Sequence, residues 1–437
     1  WWASTPTLRI NSDEMRDNSM RNYRLILLLA TLLIPSILYG STEPSFGDFD
    51  RRAKAGERLN VIFFGASLTW GANATDQSHT SYRADIAQRM ESAYPQAHFT
   101  FRDAAIGGTG SQLGVFRLDR DVLSHHPDLV FLDFSANDDI YSDSPESLAS
   151  YEAIVRRILL EGHCPLVQVI FPFKWNAKRE ELAKMKRRDA HIAIAAAYNT
   201  AVGDAIALTI ERLESGKTTF DTVWPADGVH PGDAGYALFA DAAWNAFEES
   251  VRTKRVCAAP AKMLYADTYM KSSRLRLTSI SPLPAGWHAG RPNLTSAFYD
   301  MLMSRWLDDE LIASNRVPGP GAYWKPTTTT QDVAKLQYRF HGRMVLLFGE
   351  STPTSGKYHL FVDGKPVEQK PPKVKTATAD FDAGDFARRA NGNVHLVQVV
   401  AEGLNPAVEH VLEIEPVFTP GVAQELRIES VCVAGIP

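Results

Sequence analysis

The chain has 437 residues, 45% hydrophobic and 22% charged, with 9 Trp, 14 Tyr and 21 Phe, which excludes a largely disordered or collagenous polymer and suits two or three folded units. Its 46 Lys+Arg against 51 Asp+Glu leave a net charge of −5, so no broad basic field exists to hold nucleic acid or an anionic membrane by counterion release. Three widely spaced cysteines, Cys164, Cys257 and Cys432, exclude a disulfide-dense scaffold and any CxxC motif.

Residues 1–19 carry no periodic apolar pattern and are read as an upstream segment outside the fold. In 20–40, Arg21 and Arg24 precede the apolar run 25–33 and then Pro35 and Ser36, the order of an export signal. The apolar stretch is shorter than the roughly 20 residues a spanning helix needs. A signal peptide is therefore expected, with no stable membrane insertion after its removal and a secreted or periplasmic protein. Export would permit Cys257 and Cys432 to pair, although two free thiols fit equally well. Residues 41–58 are read as a linker.

From 59 to 255, short apolar runs alternate with helical patterns, the grammar of a parallel sheet with crossover helices. Strands are expected at 60–64, 98–102, 129–134 and 166–171, and helices at 82–94, 113–124, 148–161, 182–198 and 234–247. A run such as Leu129-Val130-Phe131-Leu132 suits a central strand covered on both faces. The expected fold is a three-layer α/β/α domain. Beyond 256 the pattern changes to short alternating runs separated by Gly, Pro and Asn, at 275–277, 336–340, 344–348, 359–362, 395–400, 410–414 and 426–433. Asp363-Gly364 is a tight hairpin signal, and a helix is conceivable only at 296–308. Residues 256–437 are expected to form a smaller, jelly-roll-like β-sandwich, with Trp287 and Trp324 packed against the first domain.

Chemistry concentrates at the strand ends of the first domain. The first strand runs into Gly65-Ala66-Ser67-Leu68, the second into Gly107-Gly108-Thr109-Gly110, the third into Ser135-Ala136-Asn137-Asp138; Asp227-Gly228-Val229-His230 comes late. In open α/β sheets the carboxyl edge is where ligands bind. A serine hydroxyl needs a base, which His230 can supply, and the base needs an orienting acceptor, which Asp227 can supply. The backbone N–H groups of Ser67 and Gly108 and the side-chain amide of Asn137 are candidate oxyanion donors. Trp70, Phe173 and Trp175 are candidate substrate contacts. Asp133, Asp138 and Asp139 near His125 and His126 lack HExxH or DxDxDG spacing, so neither metal nor cofactor is expected.

These four blocks resemble the SGNH hydrolases, also called the GDSL family of esterases and lipases. Ser67, Gly108, Asn137 and His230 stand at the positions that give the family its name, and Asp227 with His230 forms its DxxH pair. The first block has Ala66 where Asp is commoner in the family. The resemblance covers roughly 59–251 and implies a Ser-His-Asp acyl-enzyme mechanism. The appended sandwich looks like modules attached to carbohydrate esterases, which implies acetyl groups on plant cell-wall polysaccharides or oligosaccharides as the substrate. Two alternatives are a short-chain arylesterase, lipase or thioesterase of the same family, and a carbohydrate-binding protein with a vestigial catalytic domain.

Overall fold

In the computed structural model, residues 44–297, 302–318, 328–369 and 376–437 are described. The expected upstream segment and signal peptide, and Trp324, lie outside them. All described residues fall in one compact unit, Glu43–Pro437.

The chain enters through helix α1 (Phe46–Lys54), not through a linker. Ser45 caps it by accepting the Asp48 N–H at 3.3 Å, and Phe46, Phe49 and Ala53 form its buried stripe. Phe46 and Phe49 both pack on Phe247, with ring centroids 6.1 and 5.8 Å apart. The helix is only nine residues long, and its stability comes from that tertiary packing rather than from propensity.

Strand β1 (Arg58–Gly65) leads through the short helix α2 (Ser67–Trp70) and α3 (Tyr82–Ala93) to β2 (His98–Ala105). Next come α4 (Ser111–Asp121), β3 (Leu129–Leu132), α5 (Pro145–Leu160), β4 (Leu166–Ile170), α6 (Lys186–Tyr198), β5 (Ala201–Asp204), α7 (Ala205–Glu214) and α8 (Asp233–Arg252). The five strands are parallel in the order β2-β1-β3-β4-β5. β5 and α7 are absent from the sequence expectation: Ala201-Val202-Gly203-Asp204 is short and half polar, and its pairing with β4 decides its conformation. The third strand stops at Leu132 rather than Phe134, because Asp133 turns back to accept the Ser135 N–H at 3.2 Å.

The C-terminal half is antiparallel, and a two-stranded sheet within it pairs β9 (Arg316–Pro318) with β10 (Thr328–Thr330). Of the two larger sheets, one has the order β16-β12-β18-β8-β7, from β16 (Val394–Ala401), β12 (Met344–Ser351), β18 (Glu425–Ala434), β8 (Glu310–Ser314) and β7 (Trp287–Gly290), with β6 (Ser272–Arg276) also on β18. The other has the order β11-β17-β13-β14, from β11 (Leu336–Phe340), β17 (His410–Val417), β13 (Lys357–Val362) and β14 (Lys365–Pro366), with β15 (Phe381–Asp382) on β13. The Asp363-Gly364 turn joins β13 to β14 with both residues at positive φ, 53° and 72°, as a two-residue hairpin of this twist requires. No long helix forms over the described part of 296–308, where a turn of 3₁₀ helix, Met303–Arg305, stands instead.

The first of these sheets is buried on both faces. Along β12, Met344, Leu346 and Phe348 join the core of the parallel-sheet half, while Val345 and Leu347 point into the core between the two larger antiparallel sheets. β18 alternates likewise, with Cys432 and Ala434 on the first face and Val431 and Val433 on the second. Period-two alternation is thus present, but both sets are apolar. Trp287 departs from expectation: it is 6% exposed within the core of the sandwich, and its Nε1–H donates to the Ala334 carbonyl at 2.7 Å. All three cysteines are buried free thiols, so Cys257 and Cys432 are not bridged.

Candidate active site

In this strand order the chain path reverses between β1 and β3, which makes their carboxyl ends the place where a crevice opens. Register aligns the three ends: Gly65 pairs with Ala105, and Phe64 with Leu132. Ser67, Gly108 and Asn137 follow those ends by two, three and five residues, so they rise from one edge. The β1 exit is tight. A Cβ on Gly65 would lie 2.2 Å from Thr69 Oγ1 and 2.6 Å from the Asp133 carbonyl oxygen, so glycine is needed where α2 folds back on the sheet.

Ser67 opens α2 at 5% exposure, and its Oγ lies 3.0 Å from His230 Nε2. His230 Nδ1 is 3.4 Å from Asp227 Oδ2, a long contact that leaves the imidazole oriented between serine and carboxylate. The carboxylate itself is firmly held. Its Oδ1 accepts the N–H groups of Val229 and His230, both at 2.7 Å, and its Oδ2 accepts Asn73 Nδ2 at 2.8 Å. Burial alone would raise the Asp227 carboxyl, but those hydrogen bonds and the His230 charge outweigh it and hold it below the ordinary carboxylate range.

Asn73 is a site residue that sequence reasoning missed. It sits at φ 68°, a left-handed position that Asn tolerates better than most residues. From there its amide also reaches the His230 carbonyl at 3.4 Å. Its place just after Gly71-Ala72 in the first block was the available signal.

Three donors at this edge are unspent. Among the described residues, no hydrogen bond engages the N–H of Ser67, the N–H of Gly108 or the amide of Asn137. Gly108 has φ 74°, which glycine adopts without penalty. The two loops that carry Gly108 and Asn137 are tied together by Asp138, whose Oδ1 accepts the Ser111 N–H at 2.8 Å. Burial pushes the Asp138 carboxyl up to about 6, partly offset by Arg187 and the Ser111 bonds. Deeper, burial pushes Asp133 up to about 7, although Ser135 and Thr69 hydrogen-bond to it.

The aromatic candidates separate. Trp70 is 8% exposed within the core, which removes it from the surface where a ligand stacks. Trp175 is 48% exposed, packs on Phe173 with centroids 5.0 Å apart, and stands over the Asp227–His230 turn, where a Cβ on Gly228 would meet its Cζ3 at 3.2 Å. The Lys174 N–H donates to the Gly228 carbonyl at 2.8 Å, fastening the two loops. The C-terminal half also reaches this edge. A Cβ on Gly108 would lie 3.8 Å from Cε1 of His395 on β16, a neighbour with no sequence signal. Burial, reinforced by the Arg117 charge, pushes the His395 imidazole down to about 4, so it is neutral at pH 7.

Residues 63–238 match the family described as GDSL-like Lipase/Acylhydrolase. No curated protein matches the chain in sequence. Among solved structures, a two-domain esterase (CEX) active on acetylated mannans, co-crystallised with mannopentaose, is similar at 23% identity with a TM-score of 0.67, over 91% of this chain and 97% of that one. The structure of the same esterase described without mannopentaose gives 23% identity and a TM-score of 0.66, over 89% and 95%. The likeness extends through both halves, so the arrangement of a parallel-sheet half followed by antiparallel sheets is common to both folds.

Proposed function

We propose that the chain, whose residues 63–238 match the GDSL-like lipase/acylhydrolase family, is an exported serine esterase that removes acetyl groups from polysaccharides or their oligomers. The observation that carries the mechanism is the 3.0 Å separation of Ser67 Oγ and His230 Nε2 beside three unspent donors. Ser67 Oγ attacks the ester carbonyl while its proton passes to His230 Nε2. Asp227 stabilises the resulting imidazolium through Nδ1. The carbonyl oxygen, now an oxyanion, is received by the N–H groups of Ser67 and Gly108 and by the Asn137 amide. Collapse breaks the bond to the sugar oxygen, which leaves with the proton from His230. Water then gives its proton to His230 and attacks the acetyl-serine, releasing acetate and restoring Ser67.

An acetylated sugar polymer as substrate is supported by two features. Trp175, half-exposed beside the Asp227–His230 turn, is an aromatic ring of the kind that stacks on a sugar. The two-domain esterase active on acetylated mannans shares the fold across nearly the whole chain. Export rests on the sequence of residues 20–40, and among the described residues no helix is long and apolar enough to cross a membrane.

The test is acetate release from acetylated mannan and acetylated xylan, run beside p-nitrophenyl acetate, with wild type and Ser67→Ala in parallel. The wild type is expected to release acetate from at least one polymer, and the variant to lose about 10⁴-fold or more on every ester. Activity retained by the variant would overturn the serine assignment. Turnover of the aryl ester alone would discard the polysaccharide.

A further inference from the structure

Away from the serine, a pocket opens along the outer edge of β2, the end strand of the parallel sheet, where the 3₁₀ turn Met303–Arg305 of the C-terminal half packs on it. Its lining carries four arginines, Arg102, Arg117, Arg120 and Arg305, against two carboxylates, Asp103 and Asp121. Both oxygens of Asp121 are already engaged, one by Arg117 Nη1 at 2.7 Å and the other by Arg120 Nη1 at 2.8 Å. Arg120 spends its remaining donors on Asp308 and on the carbonyls of Ser304 and Arg305. Asp103 Oδ1 accepts the Ala105 N–H at 3.0 Å, and its Oδ2 stands 3.6 Å from Arg83 and 3.9 Å from Arg305.

One guanidinium in the interior is left under-satisfied. Arg117 is 1% exposed, and its Nε–H has no acceptor among the described residues although Nη1 and Nη2 are both bonded. Arg102, exposed at the rim, has no carboxylate partner among the described residues. Arg305 donates once, to the Asp103 carbonyl at 3.2 Å. The positive field is felt nearby: burial first, and then the Arg102 charge, hold the His125 imidazole below its ordinary value. A buried guanidinium N–H without an acceptor is costly, and planar guanidinium groups match the geometry of carboxylate, sulfate and phosphate oxygens.

We propose that this pocket binds a small oxyanion, either the carboxylate of a sugar acid or inorganic sulfate or phosphate, held between β2 and the Met303–Arg305 turn. Arg117 supplies its Nε–H from the interior, while Arg102 and Arg305 close on the anion from the rim. Bound there, the ion ties the two halves of the molecule together and stabilises the folded state by mass action. The site is separate from the ester chemistry and does not depend on it.

The test uses the full chain in isothermal titration with sulfate, phosphate and glucuronate, with chloride at matched ionic strength as the control, and follows the thermal midpoint under the same conditions. Saturable one-to-one binding and a raised midpoint are expected. In an Arg102→Gln/Arg305→Gln double variant, affinity should fall about tenfold or more, the loss of one or two charge-assisted hydrogen bonds, while turnover of p-nitrophenyl acetate stays at the wild-type level. Binding of glucuronate alone would assign the site to a sugar acid, and binding of sulfate or phosphate alone to an inorganic ion. Absence of saturable binding beyond chloride would overturn the proposal, as would an affinity untouched by the double substitution in a variant that keeps its esterase activity.

Discussion

Asn73 Nδ2 and His230 Nδ1 meet the same oxygen of Asp227, at 2.8 and 3.4 Å, so the amide sets where the carboxylate sits and thereby how the imidazole is aimed. Asn73→Ala should lower kcat about tenfold with KM nearly unchanged, the effect expected when one hydrogen bond to a charged group is lost. Steady-state kinetics with a denaturation curve would separate this from unfolding. Asp133 lies behind the serine and makes a different prediction. Its carboxyl is raised by burial to about 7, so between about pH 4 and that value the folded chain retains a proton that the unfolded chain releases. Its contribution to stability is present below about pH 4 and is lost as pH rises through about 7. Relative to Asp133→Asn, the wild type should therefore lose stability, on the order of a few kcal/mol, between about pH 4 and pH 8. Urea midpoints at the two ends of that range would check the sign.

Among the elements, β12 has the sharpest double role. Phe348 faces the parallel-sheet half and carries the Arg274 guanidinium 5.0 Å from its ring centroid, while the adjacent Leu347 belongs to the sandwich core. Phe348→Ala should cost about 3–5 kcal/mol, as for other buried aromatic truncations, measurable by chemical denaturation. The elements legible in the sequence were those with their own strong pattern, such as β11 over Leu336–Phe340 and the β1 run. Others escaped it, among them the short α1, β5 and β7, for which a neighbour supplies what their own residues lack. Phe247 fixes α1, pairing with β4 fixes β5, and β8 fixes β7.

Across the whole molecule, the two halves share one core through the doubly buried sheet, with Met344, Leu346, Phe348, Cys432 and Ala434 contributing to the parallel-sheet side. Gln112 to Glu402 at 2.7 Å, Arg120 to Asp308 at 3.3 Å and the Glu152 carboxylate holding the N–H groups of Leu264 and Tyr265 at 2.8 and 2.7 Å add polar ties. Thermal unfolding of the full chain should appear in calorimetry as one cooperative transition. Residues 258–437 alone, with that apolar face exposed, should associate in sedimentation rather than stay monomeric. Two resolved transitions, or a monomeric fragment, would separate the halves energetically.

By itself the sequence determined the order of parallel and antiparallel elements and the four blocks that meet at the sheet edge, because both follow from periodicity and from residue types placed just after apolar runs. The tertiary structure decided what depends on groups distant along the chain. Asn73 on Asp227, His395 beside Gly108, the burial of Trp70, the exposure of Trp175 and the free thiols of Cys257 and Cys432 are of this kind. Each depends on which surfaces the fold brings together and which it leaves in water, and no local pattern carries that information.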